Sequence, residues 1–415
     1  MAQTLKFGNG TFATKKGSTL AYNDEGGNFK PLPFTTTRDS IGTRVNKEGL
    51  IEVVGNDVPR IDYTDSADGV LLLEPQRTNL ITYSEDFNNA SWLKTNLNIT
   101  KDIEIAPNGL LNASKILQTV SGGYARINTT LAGSETFSLF AKKGDLTDLK
   151  LFLGGDYSYF DLENGVVLLA SGSTFVSSNI ESFNNDWYRC SITSSYSGGT
   201  SIRFQGTNGT NDNSLGFIYT YGAQLEQGSY PTSYIPTNGS TVTRQADTAN
   251  GAGNSEVFND SEGVFYLNIA ALVNSDTPRA ISISDGTLSN RVYIYYSTNN
   301  NIEAAIKVSG TDQAAFTVNL TDSTLFNKIA IKYKENDFAI WVNGIEVDSD
   351  LSGSIFNANT LTELAFDLGD GSNDLYGKTK ELGYYDEILT DLELEYLTSY
   401  RSLNELVTVL NLNEL

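Results

Sequence analysis

The side chains that most often do chemistry are scarce in this sequence, which contains no histidine and one cysteine. Without imidazole the chain lacks the commonest general acid–base and the commonest transition-metal ligand, so Ser-His-Asp hydrolysis and histidine-held zinc are excluded. Cys190 lies in WYRCSIT, where polarity alternates, and reads as a small core residue, not a reactive thiol. Asp and Glu number 50, and a pair of carboxylates can hydrolyse a glycoside unaided by histidine. At that density chance pairs abound. Glu74 sits beside Pro75, Glu393 and Glu395 fall on an expected surface helix, and the chain is not expected to be an enzyme.

What remains is the chemistry of binding surfaces. A flat aromatic ring packs well on the apolar face of a sugar. Trp92, Tyr157, Tyr159 and Trp187 are candidates for such a platform in the first half of the chain, and Tyr293, Tyr295 and Tyr296 in the second. Most rings of this kind fill sandwich cores, so each carries a packing reading beside the binding one. Asn211-Asp212-Asn213 and the group Asp367, Asp370 and Asp374 supply oxygen ligands of the kind calcium takes. None has the spacing of an EF-hand loop. Turn chemistry, which favours Asn and Asp for their tolerance of left-handed backbone, is the first reading of all of them. No other cofactor is expected.

Such side chains need elements to position them. Gly, Asn, Thr, Ser, Tyr and Phe are abundant while Met and Trp are scarce, a composition suited to short strands joined by turns. A chain of 415 residues exceeds one ordinary core, so two or three domains are expected. Its 28 Lys and Arg against 50 Asp and Glu leave a net charge of −22. That balance argues against nucleic acid and anionic membrane surfaces as partners. No apolar run approaches the roughly 18 residues of a membrane-spanning helix, and the first residues do not have the form of an ordinary secretory signal.

Val70–Leu73 is one buried strand, stopped by Pro75, and Arg77-Thr78-Asn79 form a polar corner after it. Residues 1–79 are dense in turn signals and poor in apolar side chains, and read as an N-terminal anchoring or intertwined arm. Residues 80–245 read as a compact antiparallel domain: 137–141 (FSLFA) and 149–153 (LKLFL) form one expected hairpin, 187–193 and 200–204 another. The Pro-rich then Gly-rich stretch 230–253 reads as a linker. Residues 246–400 form a second sandwich, with Asn343-Gly344 the clearest hairpin turn. Thr390-Asp391-Leu392-Glu393 has the form of a capping box opening a short helix, and 401–415 is a tail with both helical and strand readings. The expected fold class is all-β: two antiparallel sandwich or jelly-roll domains in series, an extended arm and a short C-terminal helix.

The strings NFKPLPFTTTRDSIGTRVNKEGLIE (28–52), VPRIDYTD (58–65), LLLEPQRTNLITYSEDFNNASW (71–92) and GAQLEQGSYPTSYIPT (222–237) resemble a modular family of tailed-bacteriophage virion proteins, the head fibre, head spike and tail fibre components. The likeness spans about residues 18–250. Within it, residues 80–235 are similar to carbohydrate-binding-module jelly rolls through FSLFAKKGD and WYRCSIT. Residues 255–400 are similar to concanavalin A-like, laminin-G-type sandwiches through AIKYKENDFAIWVNGIEV and LGYYDEILTDLELEYL. The resemblance implies a homotrimeric or otherwise oligomeric virion protein, assembled in the host bacterial cytoplasm, with capsid or other virion proteins as partners. It also implies contact with host surface polysaccharide, and a virion anchor around Phe29, Pro31, Phe34, Arg38 and Arg44. Laminin-G-like sandwiches often carry calcium near loops such as 367–374. Concanavalin-like glucanases carry an E-x-D-x-(x)-E strand, and no segment here has that form.

Overall fold

In a computed structural model the regular structure is nearly all antiparallel strand, with one helix among the described residues, Asp391–Thr398. The structure describes residues 34–275, 277–297 and 300–399, and the backbone of the short strands Gln3–Lys6, Tyr22–Asn23 and Phe29–Lys30. Phe29 and Pro31 of the expected anchor and the tail 401–415 lie outside the residues whose side chains are described. No described helix is long and apolar enough to cross a membrane.

The described residues form two compact units, one comprising 34–38, Asp57–Pro75 and 246–399, the other Asp39–Asn56 and Gln76–Gln245. The second unit is a sandwich of two six-stranded sheets. One runs, in spatial order, Leu93–Thr95, Tyr124–Ala132, Ser197–Thr207, Asp148–Leu153, Asp156–Asp161, Val166–Ser171; the other runs Leu97–Ile105, Leu111–Gln118, Gly216–Gln227, Glu135–Lys143, Trp187–Ser194, Phe175–Phe183. The two hairpins expected from 137–153 and 187–204 do not form, because Glu135–Lys143 and Asp148–Leu153 belong to opposite sheets, as do Trp187–Ser194 and Ser197–Thr207. The turns carry the chain across the core instead. Alternation shows that each strand buries one face, and it is equally satisfied by strands that pair and by strands that face each other across a sandwich.

Between the sheets lie Trp92, Phe87, Phe137, Leu151, Phe160, Phe204 and Cys190, all at most 1% exposed. Burial pushes the Cys190 thiol well up, so it is an inert core group.

The first unit packs an eight-stranded sheet on a five-stranded one. Phe265, Leu267, Ile329 and Ile331 of the larger sheet meet Ile281, Ile283, Val292 and Ile294 of the smaller. Asn327–Lys334, Phe338–Val342 and Ile345–Asp350 form two consecutive hairpins, the second with the expected turn at Asn343 and Gly344, whose φ angles are both positive, +51° and +88°. The helix carries a complete capping box, Thr390 with Glu393, and buries Leu394 and Leu397 with Val264, Tyr266, Ala339 and Trp341.

The described part of the segment read as an arm is built into these units. Val70–Leu73 pairs with both Arg60–Asp62 and Gly377–Tyr385, and Thr35–Thr37 pairs with Thr248–Asn250. The Gly42–Val45 and Ile51–Val54 hairpin brings Ile51 into a cluster with Phe140, Trp187, Tyr221 and Tyr234. Each of these segments has few apolar residues because its partners supply them from far along the chain. Of the expected anchor residues, Phe34 is buried against Phe366, with ring centroids 5.2 Å apart. Arg38 is buried with its guanidinium 2.9 Å from Asp247, and Arg44 pairs with Glu52. Both Phe34 and Arg38 are thus covered by residues of their own chain.

The stretch read as a linker is also structural. Thr232, Tyr234, Ile235 and Thr237 are buried. An irregular segment cannot satisfy its own backbone, so buried side chains do it: Glu226 accepts from Thr232 N–H (3.0 Å), Gln224 from Ile235 N–H (2.7 Å) and Ser84 from Thr237 N–H (2.8 Å). Asn79, fully buried, donates to the carbonyls of Ala223 and Ile235 and accepts from Ile81 and Leu225 N–H. Asn79→Ala strands four backbone groups and should lower the urea-unfolding free energy by about 3 kcal/mol. A loss below about 1 kcal/mol would mean that water reaches the corner.

Candidate functional site

The first six-stranded sheet of the Asp39–Asn56 and Gln76–Gln245 unit has one face in the core and one outside, and pleat geometry dictates which residues go where. Ala125, Leu149, Leu151, Leu153, Phe160, Ile202 and Phe204 point inward. Their neighbours Tyr124, Arg126, Lys150, Phe152, Tyr157, Tyr159, Arg203 and Gln205 therefore share the outer face. Register lines them up in rows. Arg126 is opposite Arg203, Arg203 opposite Phe152, and Phe152 opposite Tyr157. In the adjoining row Gln205 is opposite Lys150 and Lys150 opposite Tyr159.

Over this face opens a cleft of about 460 Å³, lined by Tyr124, Lys150, Phe152, Tyr157, Arg203 and Asp212 among others. Its size is that of small-ligand sites, roughly 300–1,000 Å³. Asp212, from the turn after the Ser197–Thr207 strand, fixes one side. It accepts from Lys150 Nζ (2.6 Å) and from the Tyr159 hydroxyl (2.8 Å). Burial works against the charge on Lys150, but the hydrogen bonds to Asp212 and Tyr159 outweigh it and hold the ammonium above the ordinary lysine range. Burial raises the Tyr159 hydroxyl, so it stays protonated and donates. Lys150 Nζ also lies 4.9 Å from the Tyr157 ring centre and 4.7 Å from that of Tyr159.

The other side is built on Arg203, whose guanidinium stacks 3.8 Å from the Phe152 ring centre and 5.4 Å from that of Tyr124. Burial lowers its pKa, with the charge of Arg126 acting in the same direction and Tyr124 and Asp212 opposing. The cleft thus offers half-buried rings, two cations, an amide at Gln205 and one carboxylate already engaged. That set suits a ring-shaped, multiply hydroxylated ligand: rings for its apolar face and directional polar groups for its edge.

The structure separates the sequence-derived candidates. Tyr157 lines the cleft, half-buried, while Tyr159, its ring centre 5.8 Å away, is buried with its hydroxyl on Asp212. Trp92 is 0% exposed, wedged against Phe87 and Phe204 with its indole N–H on the Tyr83 carbonyl, and cannot be a platform. Trp187 is equally buried. In the other unit Tyr296 is a core residue, while Tyr293 and Tyr295 share the outer face of the five-stranded sheet, half buried. Tyr293 lies beneath Arg291 (4.7 Å), and Tyr295 is opposite Glu303.

The acidic candidates form turns. Asp367 accepts from Gly369 N–H (2.6 Å), Asp370 from Ser372 and Asp374 from the Tyr376 hydroxyl (3.0 Å). Burial pushes the carboxyls of Asp367 and Asp374 up. No group of three His, Cys, Asp or Glu among the described residues is placed to hold a metal ion. Asp212, read from sequence as a turn or cation ligand, is the counter-ion of Lys150.

Sequence reasoning passed over Tyr124, Lys150, Phe152, Arg203 and Gln205. The signal was present in YAR (124–126), LKLFL (149–153) and SIRFQ (201–205). With Ala125, the leucines, Ile202 and Phe204 inward, the alternate positions carry, apart from Ser201, a ring, a cation or an amide. Phe152 was hidden because an aromatic inside an apolar strand reads as core.

Fold and cleft together define an all-β protein with an aromatic, cation-bearing cleft on one outer sheet face. No protein-family model matches the chain, and no curated protein matches it in sequence. Among solved structures it is similar to the CBM40 module of the Ruminococcus gnavus IT-sialidase bound to α2,3-sialyllactose, at 14% identity over 36% of this chain and 94% of that one, with a TM-score of 0.31. A second match is the receptor-binding domain of botulinum neurotoxin mosaic serotype C/D, at 14% identity, 37% and 39% coverage and a TM-score of 0.29. A third is the heptameric SAP-like pentraxin of Limulus polyphemus, at 10% identity, 34% and 71% coverage and a TM-score of 0.27. Likeness at this level says nothing about what this chain binds.

Proposed function

We propose that the protein is a non-enzymatic carbohydrate-binding component of a tailed-phage particle, a head fibre or capsid decoration, and that the 460 Å³ cleft is its glycan site. The observation that carries the binding is the outer sheet face, where register brings Phe152, Tyr157, Lys150 and Arg203 into one cleft. The virion setting is supported by the phage-like strings of residues 28–92 and 222–237. A binder is favoured over a hydrolase because Asp212, the one carboxylate lining the cleft among the described residues, is tied to Lys150 and Tyr159. Glycoside hydrolysis takes two carboxylates. Weak binding by each chain, multiplied over copies in a homotrimer and over a particle, would hold the virion near polysaccharide without any new contact.

A glycan array probed with the full chain tests this. Binding is expected, and Tyr157→Ala should weaken it about tenfold, near 1.4 kcal/mol, with no change in unfolding midpoint. Silence across the array would leave a purely structural virion role. Release of reducing ends from host capsule would replace the reading with that of a depolymerising tail spike.

A further inference from the structure

Arg126 and Arg203 sit directly opposite each other on neighbouring antiparallel strands and on the same outer face. Like charges so placed repel, and in a sheet that costs stability. Neither side chain has a hydrogen bond or ion pair with any described residue, and the Nε atom of each is buried without a partner. Arg38 and Arg60 are matched to Asp247 and Arg44 to Glu52, whereas Arg189 bonds the Ser138 hydroxyl and Arg291 stacks on Tyr293. A shortage of carboxylates cannot explain two facing arginines at one cleft in a chain carrying 22 excess negative charges. The one carboxylate at the cleft, Asp212, bonds Lys150 instead. Phe152 and Tyr124 hold the Arg203 guanidinium flat, and burial has stripped part of its water. A planar, weakly hydrated fork held this way is matched to a two-oxygen anion.

We infer that the cleft takes an acidic saccharide, with an oxyanion substituent of the sugar held by Arg203 beside Arg126 and its ring towards Tyr157 and Phe152. This rests on the saccharide reading and narrows it to a charge class, against the direction of the protein's own net charge.

Titration calorimetry of the full chain with oligogalacturonate, its methyl ester, dextran and dextran sulfate tests it. The ester keeps the sugar and removes the charge. The acid is expected to bind at least tenfold tighter than the ester, with the difference shrinking as salt rises. Arg203→Gln should abolish that preference, so that the acid and the ester bind the variant alike. Arg126→Gln should reduce it in part. Preference for dextran sulfate over oligogalacturonate would support the inference with a sulfate ester as the anion. Equal binding of acid, ester and dextran would overturn it and leave saccharide binding standing. No binding to any sugar would remove the saccharide reading itself. Arginine-dependent binding of single-stranded DNA without sugar binding would overturn the inference in favour of nucleic acid.

Discussion

Asp247→Ala should destabilise the protein by roughly 3–5 kcal/mol, the cost of breaking a buried ion pair from one side. Asp247 is 4% exposed and serves two arginines at once, Arg38 through one oxygen (2.9 Å) and Arg60 through the other. It also accepts from the Glu74 backbone N–H, and its own N–H returns to the Glu74 carbonyl (3.0 Å). Arg60 is wholly buried, and burial opposes its charge, but Asp247 and Glu74 (2.6 Å) outweigh that and raise its pKa. Arg38 has less compensation: burial lowers its pKa and the Arg60 charge adds to this, while Asp247 pulls the other way. Removing Asp247 would take from both buried guanidinium groups the carboxylate they share and leave Arg60 on Glu74. The control is Arg44→Ala, whose pair with Glu52 is partly solvated (21% and 36% exposed) and should cost about 0–1 kcal/mol. Urea unfolding of both variants checks this. Similar losses for the two would show that the Asp247 cluster is solvated and not a keystone.

Trp92→Ala should cost about 3–5 kcal/mol, as large-to-small changes of a buried aromatic do. Its ring lies 5.3 Å from Phe87 and 5.4 Å from Phe204, and its N–H would leave the Tyr83 carbonyl unpaired. The variant separates packing from binding. If Trp92 is core, stability falls and glycan affinity of the surviving folded fraction does not. Tyr157→Ala should do the reverse. A Trp92→Ala protein that unfolds at the wild-type midpoint but no longer binds sugar would return Trp92 to the ligand surface.

These two residues also show what could be read from the sequence. Fold class was legible because alternation, turn residues and the capping box at Thr390 are local signals, and the helix and the Asn343-Gly344 hairpin are where those signals put them. Pairing between distant segments was not. Nothing local in VLLL announces that Leu71–Leu73 will join Gly377–Thr379, or that Arg38 will meet Asp247. The expected linker does hold the boundary between the two units, at Gln245 and Ala246, but its order was not legible, since the donors and acceptors that fix residues 232–237 come from Asn79, Ser84, Gln224 and Glu226. In the cleft, the choice of Tyr157 needed only an aromatic residue, whereas Trp92 needed the packing to be known. Arg203 and Phe152 became visible only when strand register placed them opposite each other.

The central claim is that saccharide binds on the outer face of the Ser197–Thr207 sheet. A crystal structure of the full chain soaked with an oligosaccharide that it binds tests this most directly. The sugar is expected over Phe152 and Tyr157 within hydrogen-bond reach of Arg203 and Gln205. Sugar found instead against Tyr293 and Tyr295, with the cleft unoccupied, would contradict it.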